Sequence, residues 1–171
     1  VIGNPPYVQL QTMGEMSDRL KNCGYESFEK GADLYCIFTE RGYQLLKKGG
    51  LQSFIMPNKW MLVEYGKPLR KFLSKTGLRQ VLNFGDIQFF AEATTYVCIF
   101  VTEKSAPFEN VEVLSLNQKT YCGDFMTEVG SNIYNDAASK FGESEWSIQP
   151  LNDSRKLQQM KLNGTELKDL P

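Results

Sequence analysis

The sequence predicts an α/β fold whose sheet is parallel except for one reversed strand. Three observations carry that prediction. Between residues 34 and 83, helical-period segments alternate with apolar runs of strand length. A further apolar run, "TYVCIFV", follows its predecessor with no room for a crossover helix, so the two strands should be antiparallel. The 171 residues are 42% hydrophobic and 23% charged, an ordinary composition for one domain with a proper core.

Val1 to Gly3 reads as the tail of a buried strand. From Tyr7 to about Gly31 the chain is polar, with Gly14, Gly24 and Gly31 as breakers. A loop that long inside a compact domain is uncommon and is usually functional or disordered. In "ADLYCIFTERGYQLLKKGG", Leu34, Ile37, Phe38, Leu45 and Leu46 recur at helical spacing. Lys47 and Lys48 fall in its last turn, and Gly49-Gly50 stops it. "LQSFIMP" is a short strand ended by Pro57. "KPLRKFLSKTG" is a second helix with Leu69, Phe72 and Leu73 inward, and "LRQVLNF" is the next strand. The reversed strand runs from roughly Thr95 to Val101 and is expected near the sheet's edge. "NVEVLSL" is a further short strand. Beyond about Asn117 the pattern weakens to a mixed tail, with one helix expected over "DSRKLQQMKLNG" and ended by Gly164. This divides the chain into residues 1–116 and 117–171.

Composition also excludes chemistry. There is no histidine, so no Ser-His-Asp triad, Cys-His dyad or histidine metal site can form. Cys23, Cys36, Cys98 and Cys122 form no C-x-x-C pair, so no metal is expected. Cys36 and Cys98 sit in apolar runs and read as core residues in a reducing, cytosolic setting. No segment has the length of a membrane span. Nineteen basic and twenty acidic residues leave a net charge of -1, so no broad basic surface is available for nucleic acid.

The stretch "VIGNPPYVQ" carries the chemistry. Pro5 and Pro6 fix φ and remove two N–H donors, leaving their carbonyls as acceptors. The Asn4 side chain adds another acceptor. This is a rigid turn at the carboxyl end of a strand, where ligands bind in open α/β sheets. It suits a planar –NH₂ group. The Asn4 oxygen takes one N–H and the Pro5 carbonyl the other, which draws the nitrogen out of conjugation and exposes its lone pair. Tyr7 can stack on the ring. The turn Pro57-Asn58-Lys59-Trp60 also ends a strand on that side and reads as a pocket rim, with Lys59 as a phosphate contact.

The Asn-Pro-Pro-Tyr turn, together with "ADLYCIFTERGYQLLKKGG", "GLQSFIMPNKWM", "PLRKFL" and "FFAEATTYVCIFV", resembles the S-adenosylmethionine-dependent adenine-N6 DNA methyltransferases. The likeness is to the Eco57I type of bacterial restriction-modification methylase, over roughly residues 1 to 115. The resemblance implies the catalytic half of a Rossmann-like methyltransferase sheet. Asn4, Pro5, Pro6 and Tyr7 would be catalytic, and Tyr7, Phe90 and Lys59 would bind substrate. Phe90 would close the face of the base opposite Tyr7, with Phe89 as its rival one register away. Asp33 matches a family position near a helix start, where a carboxylate favoured by the helix dipole is an equal explanation. The implied partner is double-stranded DNA with a flipped adenine, in the bacterial cytoplasm.

The family's Gly-rich S-adenosylmethionine loop and its acidic cofactor residues lie upstream of the catalytic turn. The sequence contains no such loop, so the chain is expected to be part of a larger enzyme and inactive without cofactor binding when isolated. Its tail, from "EWSIQP" onward, would lead into a target-recognition domain. Its strand Leu51 to Met56 would present a bare apolar edge and make it self-associate. Three alternatives remain open at this stage: a glutamine-N5 protein methyltransferase, which uses the same turn; a cytosine-N4 enzyme, which prefers Ser or Asp at position 4; and a non-catalytic scaffold.

Overall fold

The computed structural model describes residues 1–90, 95–119 and 121–163. Its strands are β1 (Ile2–Gly3), β2 (Leu51–Pro57), β3 (Gly77–Asn83), β4 (Val97–Glu103), β5 (Asn110–Ser115) and β6 (Tyr134–Ala137). Its helices are α1 (Glu15–Asn22), α2 (Leu34–Leu45), α3 (Lys67–Leu73), α4 (Phe125–Asn132) and α5 (Leu151–Asn163). The strands form one sheet in the order β1-β2-β4-β3-β5-β6.

β1 is parallel to β2, with Ile2 opposite Ser53, and β3 is parallel to β5. β4 is antiparallel to both β2 and β3. The expected reversed strand is therefore present, but it lies inside this sheet rather than near its edge. The crossover from β2 through α3 to β3 leaves one strand's width between them, and β4 returns into it. A second strand also runs against the others, because β6 pairs antiparallel with β5.

Two apolar layers cover the sheet. On one face Phe54, Met56, Val81, Cys98, Phe100 and Val113 pack beneath α2 and α3. On the other, Leu82, Phe84, Ile87, Val97, Leu114 and Leu116 form a smaller cluster under Phe125 and Val129 of α4. Residues beyond 117 join both layers. Phe141 and Trp146 are buried in the first, and the Trp146 ring meets Trp60 edge-on at 5.1 Å.

Two local expectations change. The segment from Tyr7 to Gly31 contains α1 and a 3-10 turn at Leu10–Thr12. Helix α1 is short and polar, but Glu15 and Asp18 open it and Lys21 ends it, as the helix dipole favours. Helix α2 buries Tyr35, Cys36, Ile37, Thr39 and Glu40, while Phe38 and Leu45 are exposed. Its inward stripe is thus partly polar, and apolar spacing alone misplaces it. Cys36 and Cys98 are buried as expected, while α3 buries Leu69, Phe72 and Leu73. No helix among the described residues is long and apolar enough to cross a membrane.

The turn after β2 is fixed from below. Arg70 is buried and donates from its guanidinium to the carbonyls of Trp60 (2.5 Å), Val63 (2.8 Å) and Glu143 (3.0 Å). Gly66 passes so close to Trp60 that a Cβ there would lie 1.8 Å from the Trp60 carbonyl oxygen. These contacts place Lys59 and Tyr65.

Candidate functional site

The site lies at the carboxyl end of β1 and β2. Asn4 follows β1 directly. Pro5 is buried, while Asn4, Pro6 and Tyr7 are exposed. The chain is then tied to the start of α2 by backbone bonds. Leu34 N–H donates to the Val8 carbonyl at 2.8 Å and Leu10 N–H to the Ala32 carbonyl at 2.9 Å. Gln9 and Asp33 form an isolated antiparallel bridge. The prolines thus set the turn, and this short pairing fixes Tyr7 beside Asp33. The Tyr7 ring rests edge-on against Tyr35, with 6.2 Å between centroids and 87° between planes.

A cleft of about 280 Å³ opens there, lined by Tyr7, Asp33, Pro57, Asn58, Lys59, Tyr65, Thr95 and Tyr96. The structure therefore brings Tyr7, Asp33 and Lys59 to one place. Asn4, Pro5 and Pro6 lie on the turn beside it. Tyr65, Thr95 and Tyr96 are additions that no sequence pattern singled out. Tyr65 follows a glutamate in an irregular turn, and its signal is only that the turn succeeds a ligand-side strand end.

Asn58 braces the cleft wall. Its Nδ2 donates to Asn83 Oδ1 at 3.0 Å and to the Gly85 carbonyl at 3.2 Å, and its N–H donates to the Tyr96 carbonyl at 2.9 Å. One residue, through its side chain and its backbone N–H, thus joins the carboxyl ends of β2 and β3 to the beginning of β4.

Burial dominates the electrostatics. It pushes the Tyr7 hydroxyl up, with the Cys98 thiol adding to the rise and the Asn4 side chain opposing it. It pushes the Asp33 carboxyl up, against the opposing pull of Tyr35 and Lys59. Tyr35 is wholly buried, and its phenol is held far above its ordinary range by burial and by Cys36. Burial also pushes the Cys98 thiol up to about 12, so it is an inert core group.

Phe90 is not among the residues lining this cleft. It is exposed, and residues 91–94, which follow it in "FAEATTY", lie outside the described residues. Phe89 is held by other rings: its centroid is 5.0 Å from Phe84 and 5.9 Å from Tyr121.

A mixed sheet with a reversed strand between two forward ones, carrying an Asn-Pro-Pro-Tyr turn at its ligand side, defines a class I methyltransferase fold. Solved structures agree at the level of fold. The type IIG restriction endonuclease BpuSI matches with a TM-score of 0.64 at 18% identity, over 95% of this chain and 22% of that one. An S-adenosylmethionine-dependent methyltransferase of class I described from Listeria monocytogenes matches with a TM-score of 0.55 at 20% identity, over 76% of this chain and 40% of its own. The Eco57I restriction-modification methylase family model matches residues 1–90, and the chain belongs to that family. Among curated relatives, the Type II restriction enzyme and methyltransferase RM.Eco57I of Escherichia coli is 36% identical over 108 residues. That match takes in 61% of this chain and 11% of the relative, so the chain spans about a tenth of that protein's length.

Proposed function

We propose that this chain forms the target-base side of a DNA methyltransferase that methylates adenine at N6. The observation that carries the reading is the Asn4-Pro5-Pro6-Tyr7 turn opening beside a cleft that also holds Asp33 and Lys59. S-adenosylmethionine, when bound, supplies a methyl group on a positively charged sulfur. The turn offers acceptors and no cation, which suits the amino group that receives the methyl. No residue described here is assigned to the cofactor itself.

Asn4 Oδ1 and the Pro5 carbonyl each accept one N–H of the adenine amino group. That geometry turns the nitrogen lone pair out of the ring and toward the methyl. The donor would supply the methyl group and leave as a neutral thioether, while the amino nitrogen would shed one N–H proton to solvent; Asn4 Oδ1 and the Pro5 carbonyl hold that nitrogen in place. Tyr7, backed by Tyr35, stacks on one face of the base, and Phe90 closes the other. Lys59 takes a phosphate beside the flipped nucleotide. An adenine inside a duplex cannot reach such a turn, so the base is flipped out of the stack. Residues after 117 lead toward the part that recognises the DNA sequence, in a bacterial restriction-modification setting.

The test is product analysis. The full-length protein is incubated with duplex DNA and S-adenosylmethionine, and the nucleosides are separated by mass. N6-methyladenine supports the reading. N4-methylcytosine would move the substrate to the other amino base, and a methylated glutamine in a protein substrate would overturn the DNA reading.

A further inference from the structure

The loop that carries Phe89 and Phe90 is bolted to the segment that leads into α4. Hydrogen bonds, a close backbone approach and ring contacts make the joint. Leu116 N–H donates to the Asn83 carbonyl at 2.9 Å. Gln118 N–H donates to Asp86 Oδ1 at 2.8 Å. Gly85, with φ +56°, passes so close to Leu116 that a Cβ would lie 2.2 Å from the Leu116 carbonyl oxygen. The Phe89 ring sits edge-on to both Phe84 and Tyr121, and Phe84 also packs on Phe125 of α4 at 5.8 Å.

The other end of the joint reaches the cleft. Asn58, which lines it, donates to Asn83 and Gly85. Helix α4 is itself well anchored. Asp124 caps it by accepting from the Met126 N–H, and Glu128 accepts from the Cys122 N–H at 2.9 Å. A continuous set of contacts therefore runs from Tyr121 and α4, through Phe89 and Asp86, to the wall of the cleft. Residues 117–132 lie beyond the matched family segment, which ends at residue 90.

We propose that Tyr121 is a positioning residue: through its contact with Phe89 it holds Phe90 at the angle needed to close on the flipped base. This rests on the reading of Phe90 as the second wall of the base pocket. Phe89 is the pivot, because its ring is fixed by Phe84 and Tyr121 and its backbone leads directly into Phe90. The segment after the catalytic part thereby sets the base wall, and a displacement of α4 when DNA is engaged would move that wall.

The experiment compares Phe90→Ala, Tyr121→Leu, Tyr121→Phe and the double Tyr121→Leu/Phe90→Ala in the full-length protein. Methyl-transfer kinetics are measured, together with the fluorescence of 2-aminopurine placed at the target base. Tyr121→Leu should lower kcat about tenfold, as expected for a misplaced contact at a reacting centre, with little change in KM for DNA. Tyr121→Phe, which keeps the ring contact, should restore kcat. Tyr121→Leu should raise 2-aminopurine fluorescence, because the flipped base loses a stacking wall. The double variant should lose no more than Phe90→Ala alone, since both act on one contact. Asp86→Ala, which cuts the Gln118 tie and leaves the Tyr121 ring in place, should reproduce the Tyr121→Leu defect if that variant fails to fold. Wild-type kcat in Tyr121→Leu, or additive losses in the double variant, would overturn the proposal. Wild-type kcat in Phe90→Ala would instead overturn the base-wall reading beneath it.

Discussion

The Tyr7 ring stands edge-on against the wholly buried Tyr35 ring at 6.2 Å, so the aromatic face of the Asn-Pro-Pro-Tyr turn is set by the first turn of α2. Edge-to-face pairs of this kind contribute about 1 kcal/mol beyond their burial. The pairing holds Tyr7 upright at the cleft mouth instead of leaving it to rotate in solvent. Replacing Tyr35 with Ala should therefore cost both stability and turnover, while Tyr7→Ala should cost turnover with little loss of melting temperature. Calorimetry and methyl-transfer assays on the same two variants separate the effects.

Asn4→Ala in the full-length protein should lower turnover about a hundredfold or more, the usual size for removing one preorganised hydrogen bond at a reacting centre. DNA binding should stay near wild type, because in the proposed mechanism the amino group is the part of the DNA that Asn4 contacts. Single-turnover kinetics with a radiolabelled methyl donor measure the first, and gel shift the second. Near-wild-type methylation would remove Asn4 from the mechanism.

Phe89 and Phe90 should part company on mutation. Phe89 has Phe84 and Tyr121 as ring neighbours, so Phe89→Ala should lower the melting temperature and also lower kcat about as Tyr121→Leu does, because Phe90 loses its support. Phe90→Ala should weaken capture of the flipped base, since stacking on one aromatic is worth about 1–3 kcal/mol. A catalytic defect confined to Phe89→Ala would shift the base wall by one residue.

Gly66→Ala should destabilise the protein by about 3 kcal/mol, because its Cβ has to displace the Trp60 carbonyl. That carbonyl is also an acceptor for Arg70. Arg70→Ala should cost a similar amount by leaving several buried carbonyls unpaired. Lys at position 70 should not restore it, since a single ammonium cannot span the three carbonyls. Urea denaturation of the three variants is the measurement.

Asp33 supplies a pH signature. Burial holds its carboxyl above the ordinary value, with Tyr35 and Lys59 opposing. A raised carboxyl favours folding while it is protonated. Its contribution is complete below the unfolded pKa of about 3.9 and is lost as pH rises through the folded value. Asp33→Asn removes this titration. The variant's melting temperature should therefore gain on the native protein's between pH 3 and pH 7, and a flat difference across that range would remove burial as the cause.

Edge pairing is the remaining expectation. The strand expected to lie open, β2, is paired with β4 along its length and with β1 at Ser53 and Phe54, so the open edge among the described residues is that of β1, where Ile2 and Val1 are 90% and 64% exposed. Open apolar edges invite pairing with another chain. The 171-residue chain should self-associate in sedimentation, and Ile2→Lys should reduce it. A monomer at high concentration would count against the exposed-edge argument.

The sequence exposed the parts of this fold that repeat a simple period or use rare residues. The β2-α3-β3 alternation, the reversed strand and the Asn-Pro-Pro-Tyr turn were all readable, because apolar spacing and proline chemistry act locally. Asp33 and Lys59 were noticed at element ends, but only folding shows that they share a cleft with Tyr7. Tyr65, Thr95 and Tyr96 gave no signal, since each sits in irregular backbone that is placed by Arg70, Gly66 and Asn58 from elsewhere in the chain. The inward face of α2 was misread for a similar reason. Glu40 is buried because the Ser27 N–H, thirteen residues back, donates to it at 2.7 Å. Helix α4 and β6 were invisible because their burial comes from long-range contacts rather than from a strong apolar period.

The seat of β4 between β2 and β3 also constrains how the chain can acquire its shape. β2 and β3 are complete by residue 83, yet they share no hydrogen bonds with each other. They become one sheet only when residues 97–103 arrive and bridge them. During synthesis, the front of the molecule must therefore wait with two open edges until β4 has left the ribosome. Such a non-local closure is slow and exposes the nascent chain to aggregation. Truncations ending before residue 97 should be insoluble when expressed, and those ending after Ser115 should be the first to resist proteolysis.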